Sequence, residues 1–209
     1  MDIDTFNAWA ATYEQSTGGV TRQVATHILI LLPLPSLLTR TFTILCNAPG
    51  TGTVTSEPLK LSPPFPPHRQ NPPRRRLPPH DNHRLHRLLL SLSTAVMPAE
   101  SLTFPSNTLT HSITNIGILV FSDGAKGARE IYRTLKPDGV AIVASWSFIG
   151  FAKPLAEASL IITPEGKAFS LPIDTVWFDT GYLEKIMCEA GFGEGVEMQE
   201  EEFLLGWRV

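Results

Sequence analysis

The chain has 209 residues, 43% apolar and 18% charged, the balance of a soluble globular protein with one sizeable core. A formal net charge of −3 argues against a general affinity for nucleic acid or anionic membrane surfaces. The two cysteines, Cys46 and Cys188, make no CxxC motif and no disulfide framework, which suits a reducing compartment. The start, Met1 to Asp4, carries two acids and no basic stretch, unlike a secretory leader. The most apolar run, Ile28 to Leu38, is too short to span a bilayer and contains Pro33 and Pro35. A soluble cytoplasmic protein is expected.

In chain order, Thr5 to Leu32 reads as helix, with Phe6, Trp9 and Tyr13 at i, i+3 and i+7. Phe42 to Leu45 predicts a short strand, which runs into the loop Cys46-Asn47-Ala48-Pro49-Gly50-Thr51-Gly52. From Leu61 to Ser93 the composition changes. This stretch holds eight of the 18 prolines and six arginines, with Asp81 as its single acid. Each proline removes a backbone donor and pushes its predecessor out of the helical region, so no central strand or helix is expected across Leu61 to Pro79. The reading there is a loop or a polyproline-like disordered segment, with a short helix over Arg84 to Leu92.

His80, His83 and His86 recur every third residue, and on a helix they would share a face for a transition metal. No cysteine or carboxylate pair completes a ligand set, so they are read as solvated and no metal is expected. The run Arg74-Arg75-Arg76 has no interleaved aromatics for base stacking and reads as a flexible basic loop.

Beyond this segment the pattern is regular again. Ser112 to Phe121 predicts a buried strand, Lys126 to Leu135 a helix, Lys136-Pro137-Asp138-Gly139 a turn and Val140 to Trp146 a continuous apolar strand. Tyr182 to Ala190 predicts an amphipathic helix stopped by Gly191. The alternation favours an α/β fold with a mainly parallel sheet. There is no internal repeat, and no GxSxG, P-loop or HExxH motif.

Several segments resemble class I S-adenosylmethionine-dependent methyltransferases of the small-molecule type, as found in fungal secondary metabolism. The most specific is Arg129 to Val143, in which Arg133-Thr134-Leu135-Lys136-Pro137-Asp138-Gly139 is similar to the family's R-x-L-K-P-G-G before its fifth strand. Ile44 to Gly52 resembles the first cofactor motif, in which glycines let backbone approach the cofactor. Gly50 and Gly52 match there, Cys46 stands where the family has an acid, and Pro49 stands where relatives often have cysteine. Leu102-Thr103-Phe104-Pro105 and Thr108 to Asn115 resemble the approach to the fourth strand and the strand itself. The aspartate that contacts adenine in many relatives is Pro98 here, with Glu100 two residues on as a substitute or a solvated charge.

Phe6, Trp9, Ala10, Tyr13 and Glu14 resemble the N-terminal helix that caps the cofactor, and Glu189-Ala190-Gly191-Phe192 resembles a late A-G-F turn. The resemblance covers Thr5 to Thr55 and Val96 to Val209 and fails between Leu61 and Ser93. Relatives usually continue past the Gly-Trp at Gly206-Trp207. The acid that ends the family's second strand has no counterpart beyond Asp81. A Pro/Arg/His/Leu-rich stretch with one acid is what out-of-frame or unspliced coding sequence tends to produce, and residues 58–95 are read in that way.

The resemblance implies an α/β, Rossmann-like domain with a mainly parallel sheet flanked by helices, incomplete around the second strand. Its parts are residues 1–57 (cap helix, first strand and glycine loop), 58–95 (irregular insert) and 96–209 (the remainder of one domain). It implies S-adenosylmethionine as cofactor and a small-molecule acceptor, with Tyr13, Asn47, Ala48, Gly50, Gly52 and Ser112 at the cofactor. Trp146 stands near the substrate or closes the sheet end, and His111 is a general base or a buried histidine. Loss of three carboxylate positions leaves a second reading open: an inactive methyltransferase-like protein serving at most as an interaction module.

Overall fold

A computed structural model describes residues 10, 12–32, 42–61, 83–87 and 91–204. Phe6, Trp9, His80 and Asp81 lie outside the described residues, as does most of the proline-rich stretch. The elements are α1 (Tyr13–Ser16), α2 (Val20–Leu31), β1 (Ile44–Asn47), α3 (Thr53–Leu61), β2 (His83–Arg87), β3 (Ser91–Ala95), β4 (Leu109–Asn115), α4 (Gly124–Thr134), β5 (Leu135–Ala144), α5 (Ala152–Ile162) and α6 (Thr180–Met187). Among the described residues no helix is long and apolar enough to cross a membrane.

The five strands form one sheet in the order β3-β2-β1-β4-β5. β1, β4 and β5 run parallel, whereas β2 is antiparallel to both β1 and β3. The α/β architecture with a parallel centre is the expected one, and the place beside β1 is filled by a reversed strand. The helix expected over Arg84 to Leu92 is therefore replaced by β2 and the start of β3. An open β1 edge leaves a row of backbone groups unpaired, and pairing His83–Arg87 against it satisfies them, which outweighs local spacing. The first turns of regular structure inside residues 58–95 are likewise the end of α3, which runs to Leu61.

Other boundaries moved for identifiable reasons. The long N-terminal helix is split into α1 and α2 at Gly18 and Gly19, whose φ values of 59° and 73° are left-handed. The strand expected over Ser112 to Phe121 starts earlier, at Leu109, and stops at Asn115. Ile116 there has a φ of 53°, and a 3-10 turn, Ile118–Val120, follows. β5 runs through the expected turn: Leu135 pairs with Leu109 and Val140 with His111, so Lys136 to Gly139 bulge out opposite Thr110. The late helix ends at Met187 and passes into a π turn over Cys188–Phe192.

Both faces of the parallel part, β1, β4 and β5, are covered, as a parallel sheet requires. Ile44, Cys46 and Ile113 pack against Val24, Ala25 and Ile28 of α2. Leu45, on the opposite face, joins Leu109, Ile131 of α4 and Leu135. Ala141 and Val143 face the same side, next to Ala128 and the α6 residues Leu183, Ile186 and Met187.

The Arg133–Glu130 pair explains the physical content of the most specific sequence match. Arg133 Nη1 donates to the Phe104 carbonyl at 3.0 Å and Nη2 to the Leu102 carbonyl at 2.9 Å. The guanidinium also forks onto both oxygens of Glu130, each at 2.7 Å, and Glu130 Oε2 accepts from the Leu102 amide at 2.8 Å. Two segments that look independent in sequence, Leu102 to Pro105 and Arg133 to Gly139, are thus bonded to one another.

Candidate functional site

β1 and β4 are neighbours in the sheet, but the chain leaves them toward opposite sides, to β2 and β3 on one hand and to β5 on the other. In open α/β sheets the crevice outside the carboxyl ends of the strands at such a reversal is where ligands bind. The residues at this edge show how it is built.

β1 ends at Asn47 and the chain turns through Ala48, Gly50 and Gly52, with φ values of 48°, 53° and 80°. Left-handed backbone is natural for glycine, while Ala48 carries strain there. The Gly52 amide donates to the Pro49 carbonyl at 2.8 Å, and the Gly52 carbonyl accepts the Ser56 amide at 2.9 Å, which starts α3. The first amides of α3 therefore follow directly on the loop. A Cβ built on Gly50 would meet nothing within 4 Å, so the outer side of the loop is open to close approach.

Polar groups converge on the same edge. The Asn115 amide nitrogen at the end of β4 donates to the Thr21 carbonyl at 3.0 Å. This leaves Asn115 Oδ1 and Thr21 Oγ1 buried with no hydrogen-bond partner among the described residues. Thr55, in the first turn of α3, is 1% exposed and its hydroxyl is also unpartnered. Buried polar groups are normally hydrogen-bonded, and these three unpartnered atoms lie on α2, α3 and β4, the elements next to the loop.

Arg22 of α2 binds Glu14 of α1 and Glu57 of α3 in one ion cluster, which ties the N-terminal segment to the helix after the glycine loop. The hydrogen bond to Glu14 is the main reason the guanidinium is held above its ordinary range, against the pull of burial. Burial pushes the Tyr13 phenol up, so it stays neutral near pH 7.

The sequence-derived residues divide into three groups. Ala48, Gly50 and Gly52 form the loop itself. Asn47 and Ser112 lie on adjacent strands with their side chains on the α4 face, each 1% exposed. Only backbone at Asn47 belongs to the loop edge. Cys46, at the acid position of the motif that the loop resembles, is 3% exposed and packs in the α2-face core, and Pro98 is exposed.

His111 is not brought to this edge. It stands four residues before the end of β4, about 13 Å along the strand. Its ring packs edge-on against Phe42, with centroids 5.5 Å apart, and Nδ1 lies 3.0 Å from Thr110 Oγ1. Burial lowers its pKa. That environment favours the neutral imidazole and packs it into the core, away from the glycine loop.

Trp146 lies just past β5, half-buried between the clusters on the two sheet faces. Glu100 accepts from Ser122 Oγ at 2.8 Å and from the Asp123 amide at 3.2 Å. Burial acts to raise its pKa, but these bonds outweigh it and hold the carboxyl below its usual value, in a clamp on the turn before α4. Among the described residues no group of three His, Cys, Asp or Glu side chains is placed to hold a metal ion.

Thr21, Thr55, Asn115 and Thr114 escaped the sequence reading. A signal for the last two exists. Thr114-Asn115 is a polar pair within an otherwise apolar run, and it marks the strand end that a reading extended to Phe121 conceals.

No protein-family profile and no curated protein sequence matches the chain. Among solved structures, it is similar to a SAM-dependent methyltransferase of Thermotoga maritima, described as a possible histamine N-methyltransferase. The TM-score is 0.51 at 18% identity, over 89% of this chain and 79% of that one. A second similar structure is the YcgJ protein of Bacillus subtilis, with a TM-score of 0.30 at 20% identity over 44% of this chain and 37% of that one. The first likeness shows a Rossmann-like α/β fold.

Proposed function

We propose that the chain binds S-adenosylmethionine at the carboxyl edge of β1 and β4 and transfers its methyl group to a small-molecule acceptor, in keeping with the family resemblance to secondary-metabolite enzymes. The observation that carries this reading is the pairing of an open glycine loop with the buried, unpartnered Thr21, Thr55 and Asn115 side-chain atoms at the reversal point of the sheet. The residues fit such a ligand. The loop has no Cβ at Gly50 to obstruct its approach, and the orphaned oxygens of Thr21, Thr55 and Asn115 lie on the elements that flank the loop.

Gly50 and Gly52 would hold the cofactor through backbone, with Asn47 and Ala48 contributing main-chain groups at the strand end. Tyr13, a neutral phenol held near by the Arg22 cluster, would cover it, and Trp146 would flank the acceptor. When bound, the cofactor supplies an electrophilic methyl group. The protein's part is to hold that group and the acceptor in line and to exclude water, so proximity supplies much of the rate. Cys46 and Pro98 do not reproduce the carboxylate contacts of relatives, so binding rests on neutral donors and acceptors.

Melting the full chain with S-adenosylhomocysteine tests this. At one hundred times the dissociation constant a native-state ligand adds about 2.7 kcal/mol, on the order of 5–10 °C for a chain of this size. An unchanged melting temperature at millimolar ligand would contradict the proposal.

A further inference from the structure

Asn47 and Thr114 are register partners at the carboxyl ends of the adjacent parallel strands β1 and β4. Parallel register places both side chains on one face, the side where Leu45 meets α4. Asn47 is 1% exposed and Thr114 0%. Asn47 Nδ2, Asn47 Oδ1 and Thr114 Oγ1 are all buried without a hydrogen-bond partner among the described residues. The turn after β4 packs onto Ala48 and Thr114: a Cβ on Gly117 would come within 2.8 Å of Ala48 Cβ and 3.2 Å of Thr114 Cγ2.

The chemistry of the pair narrows what can satisfy it. A carboxamide offers donors and an acceptor, and a hydroxyl offers one donor and accepts as well. A small neutral group with both capacities answers all three atoms, which bulk solvent does not reach. Three polar contacts is also the usual complement of a buried water.

We propose that Asn47 and Thr114 hold one internal water molecule between the end of β1, the end of β4 and the Ile116-Gly117 turn. It cross-links the two strand ends from which the glycine loop and the Asn115 edge depart. This holds independently of cofactor binding. Asn47 Nδ2 donates to the water oxygen, the water donates to Asn47 Oδ1, and the Thr114 hydroxyl makes the third bond.

The sign of a stability change tests it. If water satisfies these groups, Asn47→Leu and Thr114→Val each break a completed network, and each lowers the melting temperature of the full chain by about 2–6 °C. The double variant then loses less than the two single losses combined, because no orphaned group remains. If the groups are unsatisfied, both single variants remove a desolvation penalty and raise the melting temperature, which would overturn the proposal. A crystal structure of the wild-type chain supplies a readout independent of folding. Density for a solvent atom within about 3.2 Å of Asn47 and Thr114 is expected. A direct Asn47–Thr114 hydrogen bond in its place would also overturn it.

Discussion

His111 illustrates how a single residue type is reassigned by its surroundings. In the sequence it is a plausible base, but its place against Phe42 makes it a group whose charged form the fold resists. Its native pKa lies below the ordinary 6.5, so its contribution to stability is complete above that value. As pH falls below 6.5 the unfolded chain takes up a proton that the native state refuses, and stability is lost until the native pKa is passed. The melting temperature of the wild type should therefore fall more steeply between about pH 7 and 5 than that of His111→Gln. Equal slopes would show that His111 is not desolvated. The altered positions of the resembled motifs, Cys46 and Pro98 among them, were legible as anomalies in sequence. The unpartnered oxygens near the glycine loop were not. The unpartnered Thr21, Thr55 and Asn115 come from three different elements, and no local pattern joins them.

Elements were legible in proportion to how locally they are specified. α4 and β5 are found nearly where the spacing places them, because their apolar periods, the Asp123 N-cap and the Lys136–Gly139 excursion are all written within a few residues. β2 was missed because its identity depends on the free edge of β1, some 40 residues away in sequence. The clasp between Arg133 and the Leu102–Phe104 backbone is of the same long-range kind. Arg133→Ala should cost about 1–2 kcal/mol through two lost backbone-carbonyl bonds. The pairing with Glu130 adds little to this, since the Arg133 side chain is 35% exposed and screened by solvent. The expected fall in melting temperature is about 2–8 °C. Arg133→Lys should recover only part of it, because an ammonium cannot fork. Full recovery in a thermal melt would mean that charge, not geometry, matters there.

At the scale of the molecule, half of the sheet follows the parallel doubly-wound arrangement and the other half departs from it. The parallel half carries the glycine loop, the α3 start and Asn115, so the candidate site needs β1, β4 and β5 and draws nothing from the reversed β2. In the proposed function, the open side of the loop at Gly50 receives the cofactor. Isothermal titration of S-adenosylhomocysteine into the wild-type chain and into Gly50→Ala tests it most directly. The added methyl group would meet no protein atom within 4 Å, and its left-handed backbone costs about 1 kcal/mol, so the variant should remain folded. One-to-one binding by the wild type is expected, with at least about tenfold weaker binding by the variant, a difference of 1.4 kcal/mol or more. No binding by the wild type at millimolar ligand, or equal affinity in the two proteins, would contradict it.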